Sequence, residues 1–364
     1  MQTQKLQTLQ TPRSLGYHMP AEWEEQEAIW LAWPKNEETW PDRFAEVQEI
    51  FLQFVEYLHT DQEINILVDD KYSEAIVREK FKNKQIDISK INFFQIKTVD
   101  AWMRDIGPTF VVDQKNIDEK ETAKEKRIAM VDWIFNAWGN KYDDLKADDI
   151  IPKKINEFLN IKRFEPKIVL EGGSIEVNGK GTCLTTKQCL LNKNRNPLLN
   201  QKEIEQYLKD YLGVSHVIWL NEGIVGDDTD GHIDDIARFV NPTTVAAAYE
   251  DDKDDENYDF LAENYNILKK AKDQDGKSLR IIKLPMPGKV IDKKTGKRLP
   301  ASYANFFIGN KTVVVPIFGY KNDEKALKIL QECFPSRKVV GINCTALVLG
   351  FGTLHCISQQ MGKW

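Results

Sequence analysis

Residues 167–186 read KIVLEGGSIEVNGKGTCLTT. An apolar run stops at Glu171, two glycines follow, and a β-rich stretch leads into VNGKGT (Val177 to Thr182) and out again. The Asn and Gly residues of that turn tolerate positive φ, so the segment predicts a hairpin. IGNKTV (Ile308 to Val313) carries the same turn chemistry. Further β-rich runs are GPTFVVD, RIAMVDWIFN, HVIWL, HIDDIARFVNPTTVAAAY, YANFFIGNKTVVVPIFG and KVVGI. No strict repeat occurs, but a looser order recurs: polar cluster, hydrophobic strand, turn, hydrophobic strand. A weakly repeating unit of this kind closes around a pseudo-symmetric core and gathers its polar clusters at the centre.

Helical segments sit between these runs. DRFAEVQEIFLQFVEYLH (Asp42 to His59) spaces Phe44, Val47, Ile50, Phe51, Phe54, Val55 and Leu58 for one helix face. INILVDD then reads as a buried strand, KYSEAIVREKFKNK as helix and INFFQIK as strand. NQKEIEQYLKDYLG and DEKALKILQECFP are helical farther on. With no Pro/Gly/Ser linker and no break in composition, residues 15–364 are expected to form one continuous α/β domain. Residues 1–14 are polar and expected to be disordered or loosely docked. The Lys- and Asp-rich stretches 113–127 and 250–257 are expected to be solvated loops.

At 364 residues and 41% hydrophobic composition the chain can bury a sizeable core. Its net charge of −6 argues against nucleic acid or acidic membrane as partners and favours a cationic substrate. The opening MQTQKLQTLQTPRS has no apolar core of a signal peptide, and no run approaches the ~18 apolar residues that span a bilayer. Five cysteines, an odd number without a CxxC pair, suit a reducing cytoplasm. The five histidines show no HExxH or Cys/His zinc spacing, so neither metal nor cofactor is expected. Oligomeric state stays open, a homo-oligomer included.

Four clusters set charge against β-rich sequence, where uncompensated charge is costly. In DAWMRDIGPTFVV, Asp100, Arg104 and Asp105 flank Trp102; the group either fixes a turn or presents a carboxylate and an aromatic wall to a flat cation. In VLEGGSIEV, Glu171 and two glycines form either a surface turn or a close approach to a ligand. In GDDTDGHIDDIARFV, an extended HIDDIARFV puts His232 and Asp234 on one face. The surrounding Asp227, Asp228, Asp230, Asp234 and Asp235 are expected to favour the imidazolium of His232.

The fourth cluster, LVLGFGTLHCISQQ (Leu347 to Gln360), holds Cys356. A cysteine nucleophile needs its thiolate stabilised. His355 is adjacent, but neighbours in an extended chain face opposite ways, so His232 is the better partner and His355 is expected to face away. Cys183, Cys189, Cys333 and Cys344 read as structural. Together the clusters suit attack of a thiolate on a guanidinium carbon. Two carboxylates clamp the cation, and a histidine protonates the leaving nitrogen and then activates water.

Taken in order, MPAEWEEQEAIWLAWP, WMRDIGPTFVV, EGGSIEVNGKGTCLTTKQCLLNKNRNP, TDGHIDDIARFV, YANFFIGNKTVVVPIFG and GTLHCISQQ cover nearly the whole chain. On these motifs the sequence resembles the agmatine deiminase family, among the guanidine-modifying enzymes of the pentein fold. The resemblance implies a five-bladed, pseudo-fivefold ββαβ propeller with a central site. It implies hydrolysis of agmatine to N-carbamoylputrescine and ammonia through a covalent thiouronium, a step toward putrescine. It makes Cys356 the nucleophile, His232 the general acid/base and Glu171 the residue that orients His232. Asp105 and Asp234 clamp the guanidinium, and Trp102 and Asn305 line the pocket. Typical members read closer to RDNGP and GGGNIHC. Ile106, Phe351 and Thr353 depart from them, are expected to flank the pocket, and leave the substrate's far end open.

The rivals are a peptidylarginine deiminase, a free-arginine deiminase and a non-catalytic pentein binding module. The first would want a cationic subsite and an export signal, the second an Arg at the pocket. Arg104 and Arg238 lie inside motifs and read as structural partners. The third predicts loss of nucleophile or base, and both are present.

Overall fold

The computed structural model describes residues 10–113 and 127–363. The stretch 114–126, most of one expected solvated loop, and residues 1–9 lie outside the described residues. Residues 10–14 run into a 3-10 turn at Arg13–Leu15, with Pro12 buried.

After β1 (Tyr17–His18), the chain builds β2 (Gln26–Ala32), helix Phe44–Leu58, β3 (Glu63–Val68), helix Lys71–Asn83 and β4 (Ile91–Gln95). These three longer strands pair in parallel, Ile29 opposite Ile64 and Ile64 opposite Ile91. Helices cover such strands, so Ile64 to Val68 are buried throughout instead of alternating. The predicted helix face is the one used: Val47, Ile50, Phe51, Phe54, Val55 and Leu58 are all buried.

Four further units follow. They are β5 (Thr109–Asp113), β6 (Ile128–Val131), helix Ile151–Leu159 and β7 (Lys162–Phe164); then β8 (Glu176–Val177), β9 (Thr182–Thr186), helix Gln201–Leu212 and β10 (His216–Leu220). Next come β11 (Ala237–Asn241), β12 (Thr244–Tyr249), helix Tyr258–Lys270 and β13 (Arg280–Pro285). Last are β14 (Phe307–Ile308), β15 (Thr312–Ile317), helix Asp323–Cys333 and β16 (Lys338–Asn343). In each unit the first two strands are antiparallel and the third is parallel to the second.

The final strand, β17 (Ser358–Gly362), returns to pair antiparallel with β2, Gln360 opposite Ile29. It supplies the antiparallel strand that the first unit lacks. The expected pseudo-fivefold ββαβ architecture is thereby closed by joining the two ends of the chain.

Two readings change. HIDDIARFV is not extended throughout: Ile233–Asp235 is a 3-10 turn and the strand begins at Ala237. RIAMVDWIFN keeps a strand only over Ile128–Val131, because the chain then turns toward the site.

Each antiparallel first strand is preceded by one polar segment: Asp105 before β5, Glu171 before β8, His232 to Asp235 before β11, Asn305 before β14 and Cys356 before β17. The pseudo-symmetry therefore brings all five to one place. Beneath them, Arg238 bonds Glu176 Oε2 (2.8 Å from Nε) and Glu22 Oε2 (2.6 Å from Nη2), and Arg104 lies 3.7 Å from Glu22. Burial alone would raise the Glu22 carboxyl, but Arg238, His355 and Arg104 bring it well below the usual range. Arg104 and Arg238 thus act as structural partners within the core, as their place inside motifs suggested.

Candidate active site

Cys356 follows a 3-10 turn (Leu347–Gly350) and Phe351, whose φ of 67° re-aims the chain. The glycines on either side answer to Trp102. A Cβ on Gly350 or Gly352 would stand 2.7 Å from its indole ring, too close for any side chain. Arg104 N donates to Cys356 O (3.0 Å), tying the Asp105 segment to the nucleophile segment.

The Cys356 thiol is buried, accepts from Asn305 Nδ2 at 3.0 Å and lies 3.6 Å from Asp234 Oδ2. Burial, then Asp234, Asp235 and Asp105, push it well above the ordinary thiol range. At neutral pH the group is therefore a thiol. Iodoacetamide should therefore alkylate Cys356 slowly at pH 7, with the rate still climbing above about pH 9, the range in which an ordinary cysteine has already titrated. A plateau by pH 8, followed by mass spectrometry of the Cys356 peptide, would contradict this environment.

Asp105 Oδ1 accepts from Gly173 N and Oδ2 from Trp138 Nε1, both at 2.9 Å. Asp234 Oδ2 meets His355 Nδ1 at 2.7 Å, while Oδ1 has no partner among the described residues. His355 indeed does not serve Cys356. It faces the other way, but it is not idle: its ring bridges Asp234 and Glu22, with Nε2 2.8 Å from Glu22 Oε2.

His232 sits just ahead of the Ile233–Asp235 turn, with Nδ1 3.8 Å from Asp105 Oδ2. Burial would lower its pKa, but Asp105, Cys189 and Glu171 carry it well above the ordinary value. The imidazolium expected from sequence is favoured, though by different groups. Asp228 is spent on Tyr142 and Lys141, Asp230 on Arg195, and Asp227 on backbone amides that include His232 N.

The two glycines after Glu171 have steric causes. A Cβ on Gly173 would lie 2.5 Å from His232 Nδ1, and one on Gly172 2.2 Å from Arg104 O. Glu171 Oε1 accepts from Arg195 Nε at 2.7 Å, and Arg195 Nη2 donates to Thr229 O at 2.8 Å.

A cavity of about 340 Å³ opens above the thiol. Asp105, Trp102, Trp138, Tyr142, Phe351 and Cys356 wall it, and Glu38, Asp100, Asp144 and Asp228 add carboxylates; no Lys or Arg lines it among the described residues. Trp102 is therefore on the wall as expected. Asn305 lies beneath, on the thiol. Of the three departures only Phe351 faces the cavity, which corrects the expectation for the others. Ile106 is buried in the hydrophobic core, and Thr353 is buried with Oγ1 donating to Asn305 Oδ1 at 2.8 Å.

Sequence reasoning missed Trp138. Ala137, Trp138, Gly139 and Asn140 have φ of 54°, 51°, 89° and 65°, a left-handed turn that costs about 1–3 kcal/mol per non-glycine residue. The Asn136 side chain caps Gly139 N at 2.8 Å and holds the turn. That conformation delivers the Trp138 indole N–H to Asp105. The Asn and Gly density of FNAWGN was the available signal. Arg195 was missed as well, and Cys189, read as structural, in fact packs against His232 and Glu171.

A family model described as Porphyromonas-type peptidyl-arginine deiminase matches residues 18–362. A curated relative, agmatine deiminase of Medicago truncatula, is 39% identical over 96% of this chain and 97% of its own length. Among solved structures, agmatine deiminase of Enterococcus faecalis is 36% identical with a TM-score of 0.87, covering 97% of this chain and 98% of its own. The C. jejuni agmatine deiminase with substrate bound is 32% identical with a TM-score of 0.83, covering 95% and 96%. The match runs through every unit of the propeller, site segments included, and the chain belongs to the Porphyromonas-type peptidyl-arginine deiminase family.

Proposed function

We propose that this protein is a hydrolase that converts agmatine and water to N-carbamoylputrescine and ammonia. One observation carries the reading: a buried thiol lies beside Asp234 and near Asp105, at the base of a cavity whose charged walls are all acidic. Such a cavity suits a molecule with a guanidinium at one end and an ammonium at the other.

The roles follow from position. Asp105 and the unpartnered Oδ1 of Asp234 accept the guanidinium N–H groups. The arriving positive charge offsets the carboxylates that hold the Cys356 thiol up, so the proton leaves to solvent and a thiolate forms. Sulfur bonds to the central carbon, and the His232 imidazolium gives its proton to the departing nitrogen as the C–N bond breaks, releasing ammonia. Neutral His232 then takes a proton from water attacking the thiouronium. The C–S bond breaks as the adduct's hydroxyl gives its remaining proton to solvent, the neutral ureido product leaves and the thiolate returns. Glu171, fixed by Arg195, holds charge next to the ring and keeps its pKa high enough for the acid step. The five free cysteines support a reducing cytoplasmic setting, and a step in putrescine formation is the context that fits the product.

The test is a parallel assay for ureido products from agmatine, free arginine and peptides carrying internal or C-terminal arginine. A substrate carboxylate would meet Glu38, Asp144 and Asp228, and the one lysine at Asp228, Lys141, is already paired with it and with Asp230, so the like-charge approach costs several kcal/mol. Agmatine should therefore exceed arginine by about 100-fold or more in kcat/KM, since each 1.36 kcal/mol is tenfold. Equal or better turnover of arginine or of the peptides would assign the site to that substrate instead.

A further inference from the structure

We propose that Glu171, Cys189 and His232 form a site for a soft divalent cation, zinc by its ligand chemistry, and that occupation of this site blocks the reaction. The three come from separate segments: Glu171 ahead of the Gly172–Ser174 turn, Cys189 on the short helix Lys187–Leu190, and His232 ahead of Ile233–Asp235. One ligand atom from each lies within 4.8 Å of the others, and all three residues are almost wholly buried. Thiolate, imidazole and carboxylate are the donor types that bind zinc, and three of them leave a fourth position for water. No such set could be seen in sequence spacing, because the fold assembles it across units.

A second observation points to a ligand. Glu171 Oε2 is buried and has no hydrogen-bond partner among the described residues, and the equally buried His232 ring has the Cys189 thiol beside it and Asp105 Oδ2 3.8 Å from Nδ1. Buried polar atoms nearly always have one, and a partnerless carboxylate oxygen beside a thiol and an imidazole is the arrangement a cation would use. The ligands are also held from behind. Arg195 fixes Glu171 through Oε1, Thr186 Oγ1 accepts from Cys189 N at 3.2 Å, and Asp227 and Thr229 hold His232 N. Thr229 and Asp105, which line the cavity, adjoin His232, Thr229 Oγ1 accepting from His232 N and Asp105 Oδ2 lying 3.8 Å from Nδ1. On binding, the Cys189 thiol and the His232 imidazolium release their protons and bond the metal. His232 can then neither donate to the leaving nitrogen nor activate water. That inhibition rests on the proposed deiminase reading; the binding does not.

Cobalt(II) provides the probe, used in Cys356→Ser protein so that the nucleophile cannot contribute a thiolate band. A one-to-one near-ultraviolet thiolate-to-cobalt absorption is expected, displaced by zinc and lost when Cys189→Ala is added. Glu171→Gln in the Cys356→Ser background is a second arm that keeps the test decisive if the double variant fails to fold. It should keep the band but weaken cobalt binding about tenfold or more. In wild-type protein, zinc should halt agmatine turnover, a chelator should restore it, and Cys189→Ser should raise the inhibitory concentration about tenfold or more. A band that survives loss of Cys189, a band seen only when Cys356 is present, or no saturable binding would overturn the site. A cobalt band in a protein that turns over no agmatine would leave the site standing and remove the deiminase reading.

Discussion

Cys356→Ala abolishes ammonia release from agmatine, by about 10⁴-fold or more as for loss of other enzymic nucleophiles, while the protein stays folded. The first half follows from position. Sγ is the nucleophilic atom on the cavity wall, between the carboxylate segments that precede β5 and β11. The second half follows from what the substitution leaves behind. Asn305 Nδ2, which donates to the thiol, also donates to Asp235 Oδ1 at 3.0 Å, so no buried donor is orphaned. The Cβ that packs beside Gly352 remains, and the sulfur's place opens onto the cavity instead of leaving a closed void. Thermal unfolding should therefore shift by only a few degrees. Turnover retained within tenfold in this folded variant would take the thiol out of the reaction.

How much of this was legible in the sequence depended on whether a residue's role is local. The strands and long helices were readable because apolar spacing reports burial directly, as in Asp42 to His59. The hairpin at Val177 to Thr182 was readable because Asn178, Gly179 and Gly181 carry the turn chemistry that the backbone uses, the two glycines at φ of 65° and 121°, whereas the hairpin at Ile308 to Val313 forms without positive φ at Gly309 or Asn310. Cys356, His232, Glu171, Asp105 and Asp234 could be named because charge beside β-rich sequence is conspicuous wherever it falls. Relations between distant segments were not legible. That Ile233–Asp235 is a turn is decided by where His232 must reach, not by the run of residues. His355 looked merely averted because its partners, Glu22 and Asp234, lie on other units. Trp138 depends on a left-handed turn that only tertiary contacts hold, and Cys189 on contacts with two distant residues.

Asp234→Asn separates binding of the cation from reactivity of the thiol by moving them in opposite directions. Asparagine matches the shape of aspartate, and its carbonyl can keep the place that Oδ2 holds against His355 Nδ1, so the fold should survive. Its amide would then stand where the unpartnered Oδ1 now points, presenting a donor to guanidinium N–H groups that need an acceptor. Removing one partner of a buried charge-assisted contact costs about 2–5 kcal/mol, so kcat/KM for agmatine should fall about 30- to 5,000-fold, with KM raised and kcat lowered. The thiol responds with the other sign. After burial, Asp234 is the leading reason that Cys356 is held well above the ordinary range. Neutralising that carboxylate removes a charge that opposed the thiolate, so the pKa of Cys356 falls. The pH profile of iodoacetamide alkylation should move to lower pH, and the rate at any fixed pH below the plateau should rise. A variant that alkylates faster yet deiminates far more slowly is the expected pair. Near-normal deimination would show that Asp234 does not clamp the substrate. An unchanged alkylation profile in a folded protein would show that its charge does not govern the nucleophile.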